Sequence, residues 1–300
     1  MTIKHFNSYT GDKIKKEDAI YEMVFGSTSA NESFNWLPYL PKRERQWWIP
    51  WCVAMSRLNC AEAKALKKGL DIDFSDWRLA VESGTTKVGN GMNPVAEWFR
   101  LKGVDLEADT PFPVGLINDG WPAWNKIQKL PKEGKRYFGG SHSWVLSKNG
   151  MIDALNEENG SPLQIAVSDS DTNWERDGEV QKPVLKPWSH AVMLYYIDKE
   201  GRYYVQDSIG KEFKILNPNY PIIACKSFRD LPDNWKDTMN NNFIKIIKDA
   251  NSSAVGFWVP AINEEVLKNL ALVYGKPIAL KEDCTIDWDK IIEGSLTLKQ

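Results

Sequence analysis

The apolar periodicity of this chain changes near Pro162, and that change constrains the fold more than any other feature of its 300 residues. Upstream, apolar side chains recur at helical spacing. Met55, Leu58, Ala61, Ala65 and Leu66 mark a helix from Cys52 to Lys68, with Pro50 tolerated at its entrance and Gly69 as its stop. Cys52 therefore falls in the first turn. A second helix is predicted from Pro94 to about Lys102, with Asn93 as N-cap, Val95, Trp98 and Phe99 facing inward, and Gly103 ending it. A shorter one is expected from Met151 to Asn156, closed by the turn Glu157-Glu158-Asn159-Gly160. Downstream, residues 163–167, 190–197, 202–206, 213–216 and 222–225 are β-branched or aromatic runs bounded by Gly, Asp, Asn and Pro, and read as strands. Asp198-Lys199-Glu200-Gly201 reads as a tight turn joining two of them antiparallel. A helical half followed by a sheet half implies an α+β protein with a cleft between two lobes, and clefts are where sites are built.

Composition narrows the partners. Lys+Arg 38 against Asp+Glu 40 leaves a net charge of −2, with no basic block, so no nucleic acid is expected. No 18-residue apolar run is present, and the N-terminal residues show neither an apolar stretch nor a small-residue cleavage site, so no membrane contact and a cytoplasmic location are expected. The four cysteines, Cys52, Cys60, Cys225 and Cys284, lack the spacing of a zinc site and the density of a disulfide scaffold; free thiols are expected. Cys60, on the same helical run as Cys52, reads as core packing, Cys225 as a strand residue and Cys284 as a loop residue. His5 and His142 read as surface or loop residues with no metal-ligand partner at useful spacing, and no cofactor is called for.

Four positions carry chemistry. A thiol attacks a carbonyl only as a thiolate, which a helix N-terminus and a nearby imidazole both favour. Cys52 heads a helix, His190 opens a strand, and Asp207 closes the next one, where a carboxylate accepts from an imidazole N–H and fixes its tautomer. Gln46 precedes Cys52 by six residues, and its side-chain amide, with the Cys52 backbone N–H, is suited to the oxyanion of a tetrahedral intermediate. Taken singly, each has a duller reading: a core cysteine, a satisfied strand histidine, a turn aspartate.

Their order resembles that of the papain-like cysteine peptidases. Gln46-x5-Cys52-Val-Ala-Met-Ser is similar to the family's oxyanion Gln, nucleophile and following helix, and Phe34-Asn-Trp36 to its Asp-Trp-Arg segment. Gly89-Asn90-Gly91-Met92-Asn93-Pro94 resembles its Cys-Asn-Gly-Gly-x-Pro loop, and Ser161-Pro-Leu-Gln-Ile-Ala-Val167 its Gly-Pro-Val-x-Val-Ala strand. Ser189-His190-Ala191-Val192 is similar to Asn/Asp-His-Ala-Val, and Tyr204-Val-Gln-Asp207-Ser208-Ile209-Gly210 to Ile-x-Lys-Asn-Ser-Trp-Gly. The resemblance implies a two-lobed fold and a thiol protease acting on peptide or protein substrates. Cys52 would be the nucleophile, His190 the acid and base, Asp207 its partner and Gln46 the oxyanion donor. It places Gly91, Met92, Asn93, Pro94, Ala166, Ser189 and Ala191 at the substrate. Because Ser189 is uncharged, the pocket for the residue two before the cleaved bond should prefer an apolar side chain to a basic one.

The departures also carry expectations. Asp207 replaces Asn, and Ile209 replaces the Trp that shields the His–Asn contact, so that contact should be wetter unless Trp47, Trp48 or Trp51 covers it. Ile49 and Gly89 replace a family disulfide pair, as suits a reducing compartment. Met92 replaces a loop glycine against which substrate backbone would lie. The aromatic residues from 36 to 51 read as inter-lobe core. The resemblance divides the chain into an N-terminal segment 1–33, a catalytic domain 34–230 (helical lobe about 34–135, β lobe about 136–230) and a C-terminal extension 231–300. The segment before Phe34 is short for a family prosegment, which is either absent or minimal. The extension, with helices expected near 241–248, 263–274 and 286–292 and a short strand at 256–260, should pack on or beside the core, bind a partner or make a self-inhibitory contact. A bacterial or bacteriophage source suits these features. Two alternatives stand beside the peptidase: a catalytically silent papain-fold module, and a cell-wall peptide amidase, against which Asp207 and the Gly-Asn-Gly loop both argue.

Overall fold

The computed structural model describes residues 9–26, 30–46, 49–112, 121–128, 136–168, 180–181 and 189–229. The expected C-terminal helices and strand, His5, Trp47, Trp48 and Cys284 lie outside these residues.

Helices dominate the first half. After α1 (Tyr21–Phe25) and a 3-10 turn (Leu37–Tyr39) come α2 (Cys52–Lys67), α3 (Asp76–Glu82), α4 (Met92–Lys102) and α5 (Trp121–Ile127). Helix α2 matches its expected bounds to one residue, but every residue from Cys52 to Ala65 is buried, not one face alone. The cause is its position: it packs on the sheet through β4 (Ser189–Ile197) and on α3 and α4 from other sides. Ala54, Ala61, Ala63 and Ala65 let those neighbours approach closely. Glu62 and Arg57 find partners inside. Glu62 accepts from the Phe74 backbone N–H at 2.8 Å, and the Arg57 guanidinium lies between the rings of Phe228 (3.8 Å) and Phe99 (4.8 Å), joining sheet to helices.

Helix α4 begins two residues earlier than expected. Gly91, not Asn93, is its N-cap, and the capping oxygens come from Asp12, which accepts from Met92 N–H (2.7 Å) and Asn93 N–H (3.1 Å). A cap supplied from 80 residues away leaves no local signal. Val95 and Phe99 are buried as expected; Trp98 is only half-buried, its indole donating to Glu82.

The sheet half contains β1 (Ser141–Trp144), β2 (Leu163–Ser168), β3 (Val180–Gln181), β4, β5 (Tyr203–Gln206), β6 (Phe213–Leu216) and β7 (Ile222–Arg229), with α6 (Lys148–Asn156) between β1 and β2. The spatial order is β1-β7-β2-β4-β5-β6-β3; the first six are antiparallel and the two-residue β3 adds parallel at one edge, so the sheet is open and not a closed barrel. The Asp198–Gly201 turn forms as expected, with Gly201 N–H bonded to Asp198 O at 2.8 Å and Gly201 at φ +77°. The segment around Phe34–Trp36 bonds to β4 through Ser33 N–H to Ile197 O (2.9 Å) and Trp36 N–H to Tyr195 O (3.1 Å), without becoming a regular strand.

The aromatic residues expected to share one inter-lobe core divide between two. Trp36 is buried with α6 and the sheet residues Ile165, Val167, Val192 and Leu194, its indole bonded to Leu155 O. Trp51 packs with Phe112 and Trp124 among the helices. The seam between lobes is Cys60, Ala63, Ala96, Met193 and Phe228. Cys52, Cys60 and Cys225 are all buried and form no disulfide among the described residues.

Candidate active site

Cys52 is the first residue of α2, so its side chain stands beside backbone N–H groups that have no partner within the helix. Across the seam, β2 and β4 pair in a register that sets Ala166 opposite Ala191 and Val167 opposite His190. This brings the Ala191 N–H to the Cys52 sulfur at 3.3 Å and places the neighbouring imidazole beside it. His190 Nε2 donates to Asp207 Oδ1 at 2.7 Å, where Asp207 follows the last residue of β5. Cys52, His190 and Asp207 come together in one buried line.

Charge is balanced within that line. Burial pulls the His190 pKa down, but Asp207 and Cys52, by charge and hydrogen bonding, overcome this and hold it well above the ordinary 6.5. Burial likewise pushes Asp207 up, and Lys214 with His190 reverses that, leaving the carboxyl far below the usual range. Lys214, on β6, was not singled out from the sequence. Its side chain is fully buried, and its ammonium pairs with Asp207 Oδ2 and donates to Ile209 O at 2.7 Å. In the sequence it is one lysine in Phe213-Lys-Ile-Leu216; only strand alternation, which turns it inward from β6 toward Asp207, hinted at it.

The His190–Asp207 contact is dry: both residues are 1% exposed. The Ile209 N–H donates to Asp207 Oδ1 at 2.9 Å and the Lys214 ammonium pairs with Oδ2, while Trp47 and Trp48, two of the three expected covers, lie outside the described residues. Trp51 is not the cover, since it is engaged with Phe112 and Trp124.

Gln46 is buried in the strand of chain leading to α2. Its backbone N–H bonds Ser208 O (3.1 Å), and Ser208 Oγ donates to its Oε1 (3.1 Å). With Oε1 so held, the amide NH2 is turned away from Ser208. Ser208 is thus a second residue that sequence reading missed. Arg43 ties the same segment to the Asp207 loop, donating to Asp207 O (2.9 Å) and Gly210 O (2.6 Å).

The seven residues expected at the substrate fall on both sides of the seam. Gly91, Met92, Asn93 and Pro94 open α4; Ala166 is in β2; Ser189 and Ala191 are in β4. Ala166 and Ala191 are adjacent and buried, and Pro94 is exposed. His142 is a correction: it lies in β1, largely buried, bonded through Nε2 to Glu97 (2.8 Å) and through Nδ1 to Lys226 Nζ (3.1 Å). Burial and the Lys226 charge lower its pKa to about 4, so it is neutral and structural at pH 7. Among the described residues no group of three or more His, Cys, Asp or Glu could hold a metal ion.

No protein-family model matches the chain, and no curated protein matches it. Solved structures do. Xylellain, a cysteine protease from Xylella fastidiosa, is similar at a TM-score of 0.60 and 13% identity, covering 77% of this chain and 100% of its own. A digestive procathepsin L 3 from Tenebrio molitor larval midgut gives 0.55 at 14%, covering 69% and 72%. A structure in a study of the mite allergens Blo t 1 and Der p 1 gives 0.57 at 14%, covering 75% and 80%. The fold is papain-like.

Proposed function

We propose that this chain is a cysteine peptidase that hydrolyses peptide bonds through a thioester on Cys52. The observation that supports this most is the buried line from the Cys52 sulfur through His190 to Asp207, in a fold shared with cysteine proteases. The imidazole held protonated beside the sulfur is the counter-ion a thiolate requires.

The Cys52 sulfur attacks the scissile carbonyl carbon, and the carbonyl electron pair moves onto oxygen. The Gln46 amide and the Cys52 backbone N–H face that oxyanion, each such donor contributing about 3 kcal/mol to the transition state. His190 gives its proton to the departing amine as the C–N bond breaks, leaving the thioester. It then takes a proton from water as water attacks, and the sulfur leaves as thiolate. Asp207 keeps Nε2 protonated throughout, which presents Nδ1 to the sulfur. Lys214 keeps Asp207 ionised, and Ser208 orients Gln46.

The test is covalent labelling by an epoxysuccinyl peptide that alkylates papain-type thiols, read by intact mass. One adduct on the wild type, none on Cys52→Ala and a much slower one on His190→Ala is the expected result. A wild type that stays unlabelled, while remaining folded, would favour the silent module.

A further inference from the structure

None of Gln46, Cys52, His190 and Asp207 lines the cavity of about 710 Å³ that α2 and α3 share with the chain before Gln46. Among the described residues six carboxyl side chains do: Glu44, Glu62, Asp71, Asp73, Asp76 and Glu107. Glu62 and Asp76 are each 5% exposed, Glu44 and Glu107 are half-buried, and Asp71 and Asp73 reach the surface. Three cations share the lining. Arg43 is held by Asp207 O and Gly210 O, and Lys42 and Arg45 are exposed. The interior of the cavity is therefore acidic.

Backbone groups satisfy some of this charge. Glu62 accepts from Phe74 N–H, and Glu107 from Phe112 N–H and Ser75 Oγ. Asp76 has no such help. It is the first residue of α3, yet neither of its carboxylate oxygens has a hydrogen-bond partner, so it does not cap that helix either. A buried carboxylate left in this way costs stability. Burial above all, with repulsion from neighbouring acids, pushes Glu44 up to about 8 and raises Glu62, Asp73 and Glu107 above their ordinary values. Lys42 opposes the rise at Glu44 and Asp73 without reversing it. A cation from outside the chain would relieve all of these groups together.

The lining also says which kind of cation. Among the described residues no three acidic side chains are grouped to hold a metal ion, so a compact divalent cation finds no shell here. The charge is spread, and Trp51, Met55, Trp77 and Phe112 stand among the acids. Both indole N–H groups are already bonded, Trp51 to Gln46 O and Trp77 to Thr110 O, so those rings offer only hydrocarbon and π surface. Spread negative charge with aromatic walls suits ammonium groups carried on a methylene chain, and the volume is that of a small-molecule site.

We propose that this cavity binds a linear aliphatic polyamine, its ammonium groups paired with the cavity's carboxylates and its methylenes lying against Trp51 and Trp77. The site is distinct from the thiol, so the proposal does not rest on the peptidase reading of Cys52.

The experiment is titration calorimetry of the full chain with spermidine at neutral pH and about 0.15 M salt, where attraction to surface charge is screened. Magnesium chloride and 1,4-butanediol serve as the compact cation and the uncharged chain. Spermidine should bind saturably at one site and butanediol not at all. Glu62→Gln and Asp76→Asn, which keep side-chain size and remove one charge each, should each weaken spermidine about tenfold or more, the ordinary worth of a charge-assisted hydrogen bond. Thermal melts of the unliganded proteins report folding. Asp76→Asn removes a carboxylate that has no partner, so it should melt no lower than wild type, and its loss of affinity is then not a loss of fold. No binding of spermidine to wild type would overturn the site. So would binding that magnesium displaces at equal charge, or that both substitutions leave within about twofold.

Discussion

Replacing Asp207 by Asn, the residue the papain-like family resemblance leads one to expect there, should be costly in this chain although the two side chains have the same shape. Asp207 must accept from two sides: His190 Nε2 and Ile209 N–H on Oδ1, and the Lys214 ammonium on Oδ2. An amide has one accepting end, so Asn points NH2 at either the imidazole N–H or the ammonium. It also removes the negative charge paired with a lysine whose side chain is wholly buried. Breaking a buried ion pair by deleting one partner costs about 3–5 kcal/mol, whereas replacing both is close to neutral. Lys214 retains its bond to Ile209 O, which places Asp207→Asn near the lower end, about 3 kcal/mol. Lys214→Met alone should cost about as much, because the buried Asp207 carboxylate then loses the ammonium on Oδ2 while keeping the His190 and Ile209 bonds on Oδ1. The double variant should return to within about 1 kcal/mol of wild type, giving a coupling of several kcal/mol. Urea unfolding of the four proteins, under conditions where each refolds, measures the cycle. Additive losses, with the double variant worse than either single, would refute the view that Lys214 is what makes an aspartate workable at this position.

Three more outcomes are expected. Gln46→Ala should lower kcat about 100-fold, and Ser208→Ala about tenfold or less with KM unchanged, since Ser208 acts only by holding the Gln46 amide; steady-state kinetics on a fluorogenic peptide would show it. The His190–Asp207 pair should contribute its full stabilisation between pH 3.8 and 6.5: the raised imidazole pKa loses its contribution as pH climbs through its folded value, and the depressed carboxyl loses its own as pH falls through its folded value, which thermal melts across pH would trace. Glu44 lines a cavity of about 710 Å³ with Glu62, Asp73, Asp76 and Glu107, and burial followed by repulsion from Asp73 and Glu107 pushes its pKa up to about 8. A carboxyl so raised destabilises the fold as pH rises above 4.5, so Glu44→Gln should stabilise by on the order of 1 kcal/mol at pH 8 and by nothing at pH 4.

Much of this molecule was legible because local pattern and local structure agreed. The α2 run and the Asp198–Gly201 turn satisfy their own backbone within a few residues, and the strands at 163, 190, 203 and 213 carry β-branched and aromatic runs bounded by turn residues, so local pattern places them although β2 pairs with β4 and β7 far along the chain. The places of Cys52, His190 and Asp207 in the fold were readable from pattern because each sits at or beside an end of an element, whereas Gln46 lies in irregular chain ahead of α2.

What the residues alone could not reveal depends on partners distant in the chain. The α4 cap comes from Asp12, so Asn93 looked like the cap until the fold brought that carboxylate to Met92. His142 looked like a loop residue because β1 is a strand only through pairing with β7. Lys214, Lys226 and Arg57 carry no motif, and Ser208 stands in one without a role of its own; their importance is that burial in a shared interior makes each charge or hydroxyl count several times what it would in water. The sequence by itself determined the long helix of Cys52, the helix after Gly91 and five of the strands, and which side chains could do thiol chemistry. Tertiary structure decided the electrostatics, because only packing excludes the water that would otherwise screen Asp207 from Lys214.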